Sequence, residues 1–436
     1  MTTTDQDLHE DIHPGRQQLS LVLAIATTVP GIVFRLGGIH VSDPIDALIY
    51  GMSIIGAAFL LSWAAEAAQL DISAGLAIAV LAFIAVLPEY AVDLVFAIKG
   101  GNAVQEFGAA CQAPGATGET NCALALANMT GANRLLIGVG WTAVVFMAWW
   151  RYRGRGVKMH GIKLNRRHSV ELSFLAIATM YSLTLPLKKS ITLVDAAILV
   201  AIFIAYTIRI SRAPAEEPHL VGPARWIGSF STAGRRGSVI GLFFFAATVI
   251  LLTAEHFAEA LVNTGATLGI SEFFLVQWLA PLASEAPELL VALLYAYRLN
   301  TNAALGTLVS SKVNQWTLLV GTLPIAFAIA SGSTNGLPLI ARQRDEVLLT
   351  AAQSFFAVTV LLNLEMSVKE AWALFTLFWA QFILGAVVPA EHHNTELVAF
   401  SIIYVVIGLV LLARRLGVAK TLLKDGIRTP YSEMGA

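Results

Sequence analysis

Charge is what this sequence has least of. Asp, Glu, Lys and Arg together make up 13% of its 436 residues, while 56% are hydrophobic. So few charges cannot cover the surface of a soluble domain, so most of the chain is expected in lipid. Cysteine is nearly absent as well: Cys111 and Cys122 are the only two, which leaves room for one internal disulfide at most. Catalytic signatures are missing. There is no His-Glu-x-x-His pair, no paired Gly-Asp motif and no nucleophile elbow, so an intramembrane enzyme is not expected. Without a nucleotide-binding loop, this chain alone is not expected to drive primary active transport. Residues 1–18 are acidic and polar and lack the basic start and small-residue cleavage site of a signal peptide. The net charge of −1 says little, because its distribution carries the information.

What the sequence does have is long apolar runs. Crossing the hydrocarbon core takes about 20 apolar residues. Runs of that kind lie at 19–36, 47–65, 74–98, 123–150, 172–187, 194–210, 239–262, 273–296, 303–330, 347–362, 371–388 and 397–413. They are too long for membrane β-strands and lack their alternation, and a helix satisfies its own backbone in lipid. The expected fold is an all-α polytopic membrane protein of about twelve transmembrane helices. With the N-terminus placed in the cytoplasm, most of the Lys and Arg fall in cytoplasmic segments. The opposite face holds only Arg35, Lys99, Lys188, Lys189, Arg342 and Arg344. That asymmetry predicts both termini in the cytoplasm, in a bacterial-type plasma membrane. Cys111 and Cys122 then belong to an outer loop, where either a disulfide or two separate thiols would fit.

The chain repeats itself. Leu70-Asp71-Ile72-Ser73 corresponds to Leu268-Gly269-Ile270-Ser271, and Leu87-Pro88-Glu89 to Ala286-Pro287-Glu288. Farther on, Ala125-Leu126-Ala127-Asn128 corresponds to Ala304-Leu305-Gly306-Thr307, and Glu171 and Asp195 to Glu346 and Glu370. The spacing shortens across the cysteine loop, which places the extra residues of the first half there. Each half is expected to hold five helices. Five is odd, so the second half runs inverted through the bilayer, the arrangement of many secondary transporters. The expected organisation is a tail (1–18), an extra helix (19–38), a first repeat (43–210, with an outer loop at 100–121) and a cytoplasmic linker (211–237). A second repeat (238–390), an extra helix (396–413) and a cytoplasmic tail (414–436) follow.

Inside the spans, each half carries Pro-Glu in its second helix. Proline loosens the helical ladder and frees carbonyls beside the glutamate. Asp93 lies one turn after Glu89, and Ser284 and Glu285 one turn before Glu288. The third helix of each half is rich in small and polar residues, including Asn128 and Arg134 in the first, and Ser311, Lys312 and Gln315 in the second. These supply neutral oxygen ligands and counter-charges. Glu89, Asp93, Glu285, Glu288, Arg134 and Lys312 would each cost roughly 2.5–3.5 kcal/mol at mid-bilayer. They are expected to pair, bind a cation or face water. Glu66, Glu255, His256 and Glu259 lie near helix ends and fit solvated positions better than an access route. His392 and His393 fit a surface pair.

At these residues the chain resembles the cation/calcium antiporter superfamily, the sodium/calcium exchangers and their bacterial relatives. Its motifs are Gly-Thr-Ser-Leu-Pro-Glu and Gly-Asn-x-x-Gly-Ser-Asn-x-x-Asn/Asp. Ile84-Ala85-Val86-Leu87-Pro88-Glu89 and Ala283-Ser284-Glu285-Ala286-Pro287-Glu288 stand for the first motif. Ala127-Asn128 through Gly131-Ala132-Asn133, and Gly306-Thr307 through Ser310-Ser311, stand for the second. The resemblance implies a transported cation (Ca2+ or Na+, exchanged against Na+ or H+) on Glu89 and Glu288, with Ser284, Ser311 and Gln315 among the ligands. Ala85, Val86, Ala132 and Leu136 stand where the family has polar ligands, and Glu285 replaces a serine. Fewer ion sites are therefore expected, with Lys312 or Arg134 in the place of an ion and coupling open to protons or sodium. Two alternatives remain: the same scaffold with a changed substrate or as a uniporter, and a non-transporting sensor or scaffold. The expected partners are the lipid bilayer and small inorganic cations. No cofactor and no nucleic acid are implied.

Overall fold

In lipid an unpaired backbone group costs several kcal/mol, and the chain answers with helices almost throughout. The computed structural model describes residues 14–71, 87–114, 119–214, 220 and 222–434. Residues 1–13 of the expected tail (1–18), the first part of the 74–98 span, and Ile84, Ala85 and Val86 of the first motif lie outside them. The helices are α1 (Pro14–Gly37), α2 (Asp43–Ala68), α3 (Leu87–Phe107), α4 (Asn121–Gly154), α5 (Ser169–Ser182), α6 (Leu193–Ile210) and the short α7 (Pro223–Gly228). In the second half come α8 (Thr232–Leu268), α9 (Glu272–Tyr297), α10 (Thr301–Ser331), α11 (Ala341–Leu361), α12 (Val368–Val387), α13 (His393–Arg414) and α14 (Leu416–Ile427).

Among the described residues, ten helices are long and apolar enough to cross a membrane. The remaining two expected spans fall on α3, which carries Glu89, Asp93 and Lys99 along its length, and α11, whose charges Arg342, Arg344, Asp345 and Glu346 crowd its first turns. Burial separates centre from rim. The most apolar stretch of α4 is 78% buried and that of α10 67%, against 17% for α1. So α4 and α10 form the middle of the bundle. Helix α2 packs along α8 and against α1, α3 along α10, and α9 along α4. The α2–α8, α3–α10 and α9–α4 pairings all cross between the expected halves.

Among the described residues, four short strands cross-link the loops. β1 (Gly161–Lys163), after α4, pairs antiparallel with β4 (Glu365–Ser367), after α11, with Ile162 opposite Met366. β2 (Ser190–Ile191), after α5, pairs with β3 (Leu337–Pro338), after α10. Exchanging the halves turns one pair into the other. Each pair also joins loops that the Lys/Arg distribution assigns to one face. The caps repeat the same correspondence. Thr192 and Asp195 form a capping box on α6, Ser367 and Glu370 one on α12, two short side chains that satisfy orphan N–H groups.

Two segments differ from the sequence expectation. Helix α3 runs on to Phe107, past the point where hydropathy falls at Lys99-Gly100-Gly101, because Gly101 is buried against α10 at Phe327 and Ala330. The stretch after 413 is not a loose tail. It forms α14, whose Leu422 and Asp425 are buried on α5, with the Ser173 hydroxyl donating to the Leu422 carbonyl at 3.1 Å. At 12 residues it is too short to register as a span, and tertiary contact holds it. Cys111 and Cys122 are joined by a disulfide that closes the turn between α3 and α4.

At the end of α2, Asp71 accepts from Arg235 at 2.6 and 2.9 Å and from Arg236 at 3.1 Å. The Arg235 hydrogen bond holds its carboxyl down at about 2, with Arg236 assisting. A carboxyl depressed in this way stabilises the fold fully above its unfolded value near 3.8 and loses that contribution as pH falls through about 2. The stability difference between wild type and Asp71→Asn, read by thermal unfolding in detergent, is therefore expected to be constant near neutral pH and to shrink below pH about 4.

Candidate functional site

The first turn of α3 delivers Leu87-Pro88-Glu89, and Pro281 and Pro287 lie inside α9. Pro281 and Pro287 each leave the carbonyl four residues earlier without its helical donor. For Pro281 that carbonyl belongs to Gln277, and it faces Gly131 of α4 so closely that a β-carbon there would overlap it. Glycine is required at this crossing. Gly131→Ala is expected to destabilise by about 1–3 kcal/mol or more, read as a lower melting temperature with loss of transport.

Where α10 crosses α3 and α9, its backbone widens into a π-helical turn at Gln315–Leu319, matched in α4 by one at Leu136–Trp141. Such turns re-aim side chains and often mark function. Gln315 opens the turn. Its amide donates to both oxygens of Glu89 at 3.3 Å and to Glu285 Oε1 at 2.9 Å, so one residue joins the acids of the two Pro-Glu helices. One turn earlier, the Ser311 hydroxyl donates to Glu288 Oε2 at 2.9 Å. On the other side, the Asn128 amide donates to Asp93 Oδ1 at 2.8 Å. Ser284 uses its hydroxyl on the Ala280 and Pro281 carbonyls, at 3.2 and 3.3 Å.

Glu89, Asp93, Glu285 and Gln315 are all at most 1% exposed. Among the described residues, Asp93 Oδ2, Asn128 Oδ1, Glu285 Oε2 and Gln315 Oε1 have no hydrogen-bond partner. Buried acceptors of this kind call for a proton, a cation or water. Among the described residues no three His, Cys, Asp or Glu side chains are set to share one metal ion; in this arrangement the amide of Gln315 stands between Glu89 and Glu285.

The two intramembrane bases take different places. Lys312 is fully buried, with Nζ 2.9 Å from the Asn133 carbonyl, 2.6 Å from Asn133 Oδ1 and 4.7 Å from the centre of the Trp316 ring. Its charge lies within reach of Glu285, but its hydrogen bonds go to neutral oxygens. Arg134 turns away from the four acids. It pairs with Glu346 at 2.9 Å, donates to Gln381 at 3.3 Å and lies over the Trp278 ring. Gln277 shares the same Glu346 oxygen at 3.0 Å and donates to Thr130 at 3.2 Å. This is a second buried polar cluster, between α4, α9, α11 and α12. Sequence reasoning marked Glu346 only as a repeat anchor and did not find Gln277 or Gln381. Glu346 follows Arg344 and Asp345 at a helix start and reads as a solvated charge.

A cavity of about 210 Å³ enters between α2, α9 and α10 and is lined by Ser62, Glu66, Pro88, Ser284, Glu288 and Tyr295. Glu288 is half-buried and borders it, while Glu89 and Glu285 lie fully buried. Glu66 therefore lines an approach to the acids, where its position near a helix end suggests a solvated charge. The cavity starts from the face that carries the linker, since Glu66 is at the end of α2 nearest Asp71.

The sodium/calcium exchanger protein family matches residues 47–211 and 238–387. The chain belongs to that family. A solved structure similar to this exchanger-family chain is the crystal structure of the H+/Ca2+ exchanger CAX. It shares 39% identity over 95% of this chain and 98% of that one, with a TM-score of 0.85. The Ca2+/H+ antiporter protein YfkE, at 15% identity over 84% of this chain and 99% of that one, has a TM-score of 0.57 and shares the fold. No match was found among curated proteins. The exchanger family is one of transporters, and this member is a membrane ion antiporter built of multiple apolar helices. Its match breaks across the linker that carries α7.

Proposed function

We propose that this antiporter exchanges Ca2+ against protons by alternating access, with Glu89 and Glu288 as the transported cation's principal ligands. Gln315 and Ser311 carry the reading, because each ties one Pro-Glu glutamate to the crossing helix α10. Charge supports it. Arg134 is neutralised by Glu346, which leaves Glu89, Asp93, Glu285 and Glu288 with Lys312 as their one nearby base. Buried carboxylates in such excess hold either a metal cation or protons, so a divalent ion and protons compete for the same oxygens. Carboxylates suit a hard cation such as Ca2+. The 39% identity to the H+/Ca2+ exchanger CAX favours protons over sodium as the counter-ion.

Two inverted five-helix units, 43–210 and 238–390, account for the exchange of strand pairs β1–β4 and β2–β3 between halves. In this arrangement the cavity beside Glu66 and Glu288 is the cytoplasmic approach, with both termini on that side. Movement of α2 and α8 relative to the α3–α10 and α4–α9 pairs would open the opposite face. Ca2+ uptake by proteoliposomes tests the reading. Uptake should follow an imposed proton gradient and ignore a sodium gradient of equal size. Uptake driven by sodium alone, or unaffected by either gradient, would overturn it.

A further inference from the structure

Lys312 and Asn133 hold equivalent places in the two halves. The correspondence of Ala125-Leu126-Ala127-Asn128 with Ala304-Leu305-Gly306-Thr307, continued along α4 and α10, carries Asn133 onto Lys312. Both are fully buried where the two central helices meet. The Lys312 ammonium donates to the Asn133 carbonyl at 2.9 Å and to Asn133 Oδ1 at 2.6 Å. The amide nitrogen of Asn133 donates elsewhere, to the Met129 carbonyl at 2.9 Å, so both oxygens of this residue serve the ammonium. The Trp316 ring, its centre 4.7 Å from Nζ, covers another side of the charge. Three residues past Asn133 the π-helical turn of α4 begins at Leu136. Backbone carbonyls beside irregular helical turns, with neutral side-chain oxygens, are what membrane transporters use to seat a monovalent ion. In this protein the seat holds a side chain.

We propose that the Lys312 ammonium is a tethered cation in a monovalent-cation position, and that by filling it Lys312 excludes Na+ from the exchange. The proposal rests on the Ca2+/H+ reading above and assigns the residue that sets its counter-ion. Arg134 is committed to Glu346, so among the described residues Lys312 is the one base beside the four acids, and its charge reaches Glu285. A lysine ammonium is a compact point charge that oxygen atoms surround much as they surround a small metal cation. Unlike an ion it cannot leave, so the position stays filled in every state of the cycle. A Na+ ion there would dissociate, rebind and compete with Ca2+ through the shared carboxylates. Without Lys312 the acids lack one positive charge and the oxygens of Asn133 lack a donor, which together call for a monovalent ion. Lys312→Asn would match Asn133 and add a second amide oxygen to the vacated position.

The experiment compares wild type with Lys312→Asn, in proteoliposomes and in detergent, in NaCl and in choline chloride of equal ionic strength. Wild-type Ca2+ uptake under a proton gradient should be the same in both salts, and so should its melting temperature. In Lys312→Asn, NaCl should raise the Ca2+ concentration for half-maximal uptake by at least about 5-fold, the lower end of couplings between two bound ligands. NaCl should also raise the variant's melting temperature above its value in choline chloride, as a bound ligand does. A variant that loses transport still reports through this second measurement, and Lys312→Gln serves if Lys312→Asn fails to fold. A variant equally destabilised in both salts, the result of losing a brace between α4 and α10 alone, would overturn the proposal. So would sodium that stabilises wild type as much as the variant. Wild-type uptake driven by a sodium gradient would instead overturn the Ca2+/H+ reading itself, so the two failures are distinguishable.

Discussion

Glu89→Gln and Glu288→Gln are each expected to cut Ca2+ transport in proteoliposomes by at least about 100-fold, because losing one charged ligand removes about 3 kcal/mol or more from cation binding. Neither should unfold the protein. Glutamine keeps the shape and the polar contact to Gln315 or Ser311, and it removes a charge whose burial is costly. The melting temperature without Ca2+ should therefore hold or rise, while the stabilisation normally gained from added Ca2+ disappears. This pattern separates a ligand from a structural acid. A variant that transports normally, or that keeps its Ca2+-dependent stabilisation, would remove that glutamate from the site.

The opposite pattern is expected at the second cluster. Arg134→Ala leaves Glu346 buried and ionised, with Gln277 as its remaining partner among the hydrogen bonds described. Breaking one side of a buried pair costs about 3–5 kcal/mol. Glu346→Ala strands the guanidinium over the Trp278 ring in the same way. The double variant Arg134→Met/Glu346→Leu removes both charges and fills the space. It should recover most of the loss, since apolar residues of similar volume often replace a buried pair without penalty. Thermal unfolding of wild type, Arg134→Met, Glu346→Leu and the double variant closes a cycle that gives the coupling. Additive losses would mean that the two residues do not act as a pair. If the double variant also transports Ca2+, the cluster is a brace between α4 and α11 and no part of the ion path.

Much of the candidate site was legible before any coordinates, for a physical reason. A charge in an apolar run is expensive, so each of Glu89, Asp93, Glu285, Glu288, Arg134 and Lys312 stood out against its neighbours. The repeated Pro-Glu pointed to two equivalent helices, and small and polar residues marked α4 and α10 as their close neighbours. Glu66 and Glu346 were read less well. Both lie near helix ends, where a charge facing water and a charge facing a cavity or a buried arginine have the same sequence appearance. The C-terminal α14 was missed because a helix of 12 residues with charges on one side gives no span signal.

The sequence by itself determined that lipid is the solvent of this chain, that its apolar runs are helices, and where ionisable groups must find partners. Those follow from transfer free energies, which depend on residue type and local run length. Only the tertiary structure decided which partner each group found. Arg134 went to Glu346, Lys312 to Asn133, and Gln315 to two glutamates at once. Those choices turn on how helices from the two halves cross, on glycine at one contact and on a widened turn at another. Such contacts join residues far apart in the chain, and no local pattern encodes them.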